Sequence, residues 1–243
     1  MLEEHHLTTD VDLAQTLAQH IAQRLSEAIE QRGRALLCVS GGKSPIALFH
    51  ALSCQALAWQ QVTVTLVDER CVPWGHPDSN ATLVQQHLLQ GPAAQAQFLK
   101  WVPDTVTEPP PALPWQEQLP VLTTWAQAVD EALRPLWPAD VVVLGMGLDG
   151  HTASLFHDAR GLKVAIDAGN QALCAPIRPP QAPHDRLSLT LNALRSARHL
   201  ALQLQGPDKC EVYEEARRTP SLLHPVSLVM AAAADTLSVW IAD

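Results

Sequence analysis

The sequence predicts an α/β fold built on a mostly parallel sheet with helices on both faces. Three observations carry this. Short apolar runs alternate along the chain with segments of helical periodicity. The runs are continuously apolar rather than alternating in polarity, as in strands buried on both faces. Polar, glycine-rich clusters follow directly after these runs, at the strand ends where such folds bind ligands. The chain has 243 residues, enough for one domain (1–243) with a core of its own.

The elements follow in order. Thr9 and Asp12 mark a helix start. Leu13, Leu17, Ile21, Leu25 and Ala28 then recur at helical spacing until Gly33 ends the run. Ala35–Val39 reads as a buried strand, Ser40–Gly42 as a turn, and Ser44–Leu52 as a helix with Pro45 near its start. Val62–Val67 is a second strand and Asp78–Leu89 a helix. Six prolines between Pro103 and Pro120 predict a surface loop, followed by a helix over Leu122–Leu133. Asp140–Leu144 is a third strand. Weaker signals place strands at Ala172–Ala175, His199–Gln205 and Leu237–Ile241, and helices at Leu191–Ser196 and Asp208–Arg217.

Composition narrows the function. Sixteen basic against 25 acidic residues leave a net charge of −9, which argues against a nucleic-acid partner. The longest apolar runs fall far short of the roughly 20 residues that span a bilayer. The N-terminal segment has neither a basic nor an apolar stretch of signal-peptide type. Five scattered cysteines without a CxxC pair argue against a disulfide framework, so a cytoplasmic protein is expected. Eleven histidines show no metal-ligand spacing, and no catalytic zinc is predicted.

Four clusters could carry chemistry. Ser40–Gly41–Gly42–Lys43–Ser44–Pro45 joins a strand to a helix, and its glycines and the helix N-terminus suit an anion; a tight turn is the plain alternative. Asp68–Glu69–Arg70, with His76, Asp78, Ser79 and Asn80, is either a solvated loop with a helix cap or a polar rim. In the second reading Arg70 meets a substrate and Asp68 acts as an acid/base or an orienter. Gly145–Met146–Gly147–Leu148–Asp149–Gly150–His151 spells GxGxxG, with Asp167 beyond it. Asp149 and His151 crowd the turn where a pyrophosphate would sit, so no dinucleotide is expected. The same two residues suit a carboxylate-oriented histidine base. Arg186 and Lys209 would complete a phosphate clamp if brought to the first cluster.

Five ordered blocks, VSGGKSP, DERCVPWGHPDSN, GMGLDGHTASLF, RLSLTLNAL and GPDKCEVYEEA, resemble the 6-phosphogluconolactonases. The wider superfamily also holds glucosamine-6-phosphate deaminases/isomerases. The resemblance implies a Rossmann-like, doubly wound fold and hydrolysis of 6-phospho-D-glucono-1,5-lactone without a cofactor. Ser40, Gly41, Gly42, Arg186 and Lys209 match positions that hold the sugar phosphate, with Lys43 in the same loop. Arg70 and Asn80 lie in the block lining the sugar. His151 matches the proposed general base, with Asp149 beside it, and Asp68 matches the proton-transfer base of the deaminases.

The deaminase pattern has a glutamate five residues after its histidine, where this chain has Phe156. That, with Thr152–Phe156, favours the lactonase branch. His157 stands where the lactonase pattern usually has proline, and Lys43 where Thr or Ser is commoner. A non-catalytic sugar-phosphate sensor is a further alternative, disfavoured by the acidic charge and by intact Asp68, Asp149 and His151. The expected partner is a small sugar-phosphate lactone, in a monomer or small homo-oligomer.

Overall fold

The computed structural model describes residues 2–110 and 113–242. In chain order the elements are β1 (Glu3–Leu7), α1 (Asp10–Arg32), β2 (Ala35–Val39), α2 (Ile46–Ser53), β3 (Val62–Leu66), β4 (Asp68–Arg70), α3 (Asn80–His87), β5 (Gln97–Phe98) and α4 (Trp115–Leu133). Then come β6 (Val141–Gly145), α5 (Leu162–Ala165), β7 (Cys174–Ile177), β8 (Arg186–Leu189), α6 (Leu191–Ser196), β9 (Leu200–Gln205), α7 (Pro207–Ala216), α8 (Val226–Ala232) and β10 (Leu237–Ala242).

Seven strands form one sheet in the order β1-β10-β9-β6-β2-β3-β5, with every neighbouring pair parallel. Every residue of β2 and β10 is buried, so this sheet is covered on both faces. The order reverses beside β2. From β2 the chain builds outward through β3 and β5, then crosses to β6 on the other side and continues through β9 to β10, which pairs with the first strand, β1, at the edge. The loops leaving β2 and β6 therefore part at their carboxyl ends and open a crevice. A second, antiparallel sheet, β4-β8-β7, stands beside it.

Local chemistry explains the main helix. The Thr9 hydroxyl accepts the Asp12 N–H at 3.1 Å, and Gly33 closes the other end at φ +72°. Its buried stripe includes Leu13, Leu17, Ile21, Leu25 and Ala28, as the periodicity predicts. Two expectations are corrected. The proline-rich loop ends at Pro114, because Trp115 starts α4 and Pro120 lies inside that helix. Its missing N–H costs one bond, and the buried Leu122, Ala126, Val129 and Leu133 hold the helix against that cost. Pro111 and Ala112, within the predicted loop, lie outside the described residues. The seventh strand runs Cys174–Ile177, two residues later than Ala172–Ala175, and β1, β4, β5 and β8 are additional strands.

Candidate active site

The crevice beside β2 gathers almost everything the sequence singles out. Ser40, Gly41, Gly42, Lys43, Asp68, Arg70, Asn80, His151, Arg186 and Lys209 line one cleft. Asp149 stands just behind it, bonded to His151. Asp167 lies elsewhere, in a turn after α5, where Asn192 holds its carbonyl oxygen. The turn at Gly145–Gly150 does not open a helix as a dinucleotide site requires, since the next helix is the single turn of α5.

One end of the cleft is built from the β2–α2 loop and the start of α7. The Lys209 ammonium donates to the Ser44 hydroxyl at 3.0 Å, so this basic side chain is turned onto the loop. Burial pulls the Lys209 pKa down from its ordinary value, which an anion would reverse. The Gln203 amide reaches the Ser44 carbonyl at 3.4 Å. Gly41 is required by close packing: a Cβ there would stand 1.8 Å from Asn80 Oδ1.

The opposite wall comes from the small sheet. β4 and β8 pair so that Arg70 faces Arg186 and Asp68 faces Ser188. Like charges in register repel. Asp68 answers part of this, with an oxygen 3.8 Å from Arg186 Nη1. Asp68 is itself fixed by the Ser154 hydroxyl at 2.6 Å, while the Asn80 amide donates to its backbone oxygen at 2.8 Å. Burial lowers the Arg186 pKa, against the opposing pull of Asp68.

Glu69 organises this wall from beneath. Its buried carboxylate accepts the N–H groups of Arg70, Asn80 and Ala81 at 2.7, 2.8 and 2.8 Å, and the Ser79 hydroxyl at 3.0 Å. Burial raises its pKa to about 7, and these four bonds pull the other way.

Between the two ends lies the histidine. His151 Nδ1 is hydrogen-bonded to Asp149 Oδ1, and its backbone N–H donates to the same oxygen at 3.2 Å. That imidazole bond is the main cause holding the Asp149 carboxyl below its usual range. An ionised partner on Nδ1 fixes the tautomer that leaves Nε2 with its lone pair. Gly147 makes room: a Cβ there would sit 2.2 Å from the imidazole. Phe156 stacks on His151 with ring centroids 4.0 Å apart, and the Arg186 guanidinium lies 5.3 Å from the Phe156 centroid. The position that would complete an Asp–His–Glu relay is thus an apolar platform.

Sequence reasoning missed Ser154 and Gln203, and placed Ser44 in the first loop without a role of its own. Ser154 sits in a quoted block and was within reach; Gln203, inside β9, carried no signal. Fold and site together define an α/β protein whose cleft sets a glycine-rich loop and basic side chains beside a carboxylate-bonded histidine. The family model for glucosamine-6-phosphate isomerases/6-phosphogluconolactonase matches residues 8–239, and the chain belongs to that family. A 6-phosphogluconolactonase of Pseudomonas putida is 43% identical over 205 residues, 84% of this chain and 79% of that protein. One from Neisseria meningitidis serogroup A is 39% identical over 226 residues, 93% of each chain. The crystal structure of a 6-phosphogluconolactonase from Shewanella baltica superposes with a TM-score of 0.89 at 35% identity, covering 100% of this chain and 98% of that one.

Proposed function

We propose that this site hydrolyses 6-phospho-D-glucono-1,5-lactone to 6-phosphogluconate, with His151 as the base. One observation carries the reading. Among the described residues five buried side-chain polar atoms lack a partner, and three of them, Ser40 Oγ, Arg70 Nε and Arg186 Nε, belong to residues lining this cleft. Buried donors left open beside a histidine–carboxylate pair call for a polar, anionic ligand.

The phosphate rests on the Ser40–Ser44 loop, Lys209 and Arg186, with the lactone carbonyl toward His151. His151 Nε2 takes a proton from water as the water oxygen bonds to C1. The tetrahedral oxyanion needs donors. The Gly147 and Gly150 N–H groups are engaged within their own turn, to the His151 and Gly147 carbonyls, which favours Arg70 Nε. The imidazolium then returns its proton to the ring oxygen as the C1–O bond breaks. Asp149 orients the ring and supports its positive charge, and Asp68 holds Arg186 in place.

The test is hydrolysis of freshly prepared lactone, read as acid release above the spontaneous rate. Strong acceleration is expected, falling about 10²–10⁴-fold in His151→Ala with KM largely kept. No acceleration by the wild type refutes the reaction, and an unchanged rate in the variant refutes the base.

A further inference from the structure

The polar run after β4 contains His76 and Asp78, which the reaction above does not use. In the fold this run meets His184, 106 residues beyond Asp78 in sequence. We propose that His76, Asp78 and His184 form a binding site for one zinc ion, separate from the lactone cleft.

The separations suit that ion. Their ligand atoms all lie within 4.8 Å of one another. His184 Nε2 is 3.0 Å from Asp78 Oδ2, and His76 Nδ1 is 3.8 Å from the same oxygen. A tetrahedral zinc with bonds of about 2.0–2.1 Å sets its ligand atoms roughly 3.3 Å apart. The imidazoles are nearly perpendicular, at 80° with centroids 5.5 Å apart, so they converge on a point rather than stack. Two imidazoles and one carboxylate are a donor set for zinc and its transition-metal neighbours, and not for magnesium or calcium.

The hydrogen bonds fit as well. His76 Nδ1 accepts the Asp78 N–H at 3.1 Å, so that nitrogen carries a lone pair, which zinc would take in place of the amide. Arg70 is engaged on the Asp78 carbonyl oxygen at 2.6 Å.

The scaffold is rigid where the ligands leave it. His184 sits at φ +69°, in the left-handed region that few non-glycine residues adopt. Its neighbour Asp185 is clamped twice by Arg178, at 2.5 and 2.7 Å, and its carbonyl accepts the Cys71 N–H at 2.8 Å. A zinc ion here ties the loop leaving β4 to the loop entering β8, the strands that set Arg70 opposite Arg186.

The experiment is calorimetric titration of chelator-treated, dialysed protein with zinc chloride, with magnesium chloride in parallel. Four proteins are compared: the wild type, Asp78→Asn, His184→Ala and His50→Ala. The last removes half of the His50–His87 surface pair, which offers imidazoles without a carboxylate. One equivalent of zinc is expected to bind the wild type and His50→Ala, at least ten-fold more weakly in Asp78→Asn and His184→Ala, and magnesium not at all. Asp78 is exposed, so its variant carries the test should His184→Ala misfold. Absence of a one-equivalent zinc site, equal affinity in Asp78→Asn, or loss of the site in His50→Ala overturns the proposal.

Discussion

At Gly147 a single hydrogen in place of a methyl group decides whether His151 can be where it is. The imidazole and the Asp149 carboxylate both fill the space a side chain would need: a Cβ at this position would stand 2.2 Å from the ring and 2.6 Å from the carboxylate. Gly147→Ala therefore displaces the ring without touching its chemistry. A shift of about 1 Å at a reacting group costs on the order of 10²-fold. The expected outcome is a kcat lowered at least ten-fold with little change in the thermal midpoint, measured by steady-state hydrolysis beside circular dichroism. An unaltered kcat would remove the His151–Asp149 pair from the mechanism. This dependence is hidden in the sequence, where Gly147 reads as part of a generic glycine-rich turn. The His–Asp pairing itself was legible, because a spacing of two residues in a tight turn lets one side chain reach the other.

At the scale of elements, Glu69 joins a strand to a helix. Each of its oxygens receives two donors, which fasten the end of β4 to the first turn of α3 and so aim both Arg70 and Asn80. Glu69→Gln keeps the shape but turns an NH2 group toward two donors. Leaving buried donors unmet costs about 1–3 kcal/mol. A lower urea midpoint together with a raised KM is expected; a KM unchanged from wild type would confine Glu69 to stability. Elements that bury a continuous apolar run, such as β2 and β6, were readable from sequence. β1 was not, since Glu3–Glu4–His5–His6–Leu7 has no apolar pattern. It is held by pairing with β10, by the Tyr213 hydroxyl on Glu4 at 2.6 Å and by His5 stacked 3.9 Å from Trp240, all long-range contacts. α4 reads short in the sequence because Pro120 looks like a boundary, and only its tertiary packing overrides that.

At the scale of the whole molecule, the reversal of strand order beside β2 brings five distant blocks to one cleft, which is why ordered motifs announced the site better than any one loop did. The zinc proposal shows the converse: its ligands come from two loops, and no spacing rule could find them. The same architecture half-buries two imidazoles away from the cleft. His20 on α1 packs against Trp240, with centroids 5.1 Å apart, and His199 leads into β9. Burial is the main cause lowering the pKa of both, with Arg24 adding to it. Glu3 near His20, and Glu27 and Asp140 near His199, oppose the shift without reversing it. Both rings thus take up protons less readily in the folded chain, while the unfolded chain takes them up near the ordinary value of 6.5. Below that pH the unfolded state binds more protons than the folded one, so the contribution of these residues to stability is present above 6.5 and is lost as the pH falls toward their depressed values. Glu69, with its pKa raised to about 7, acts the other way over this window, so the comparison carries the prediction: between pH 7.5 and 5.5 the wild-type urea midpoint is expected to fall relative to that of a His20→Gln/His199→Gln double variant. An equal change in both proteins would place the acid response in other groups and leave these two imidazoles as packing alone.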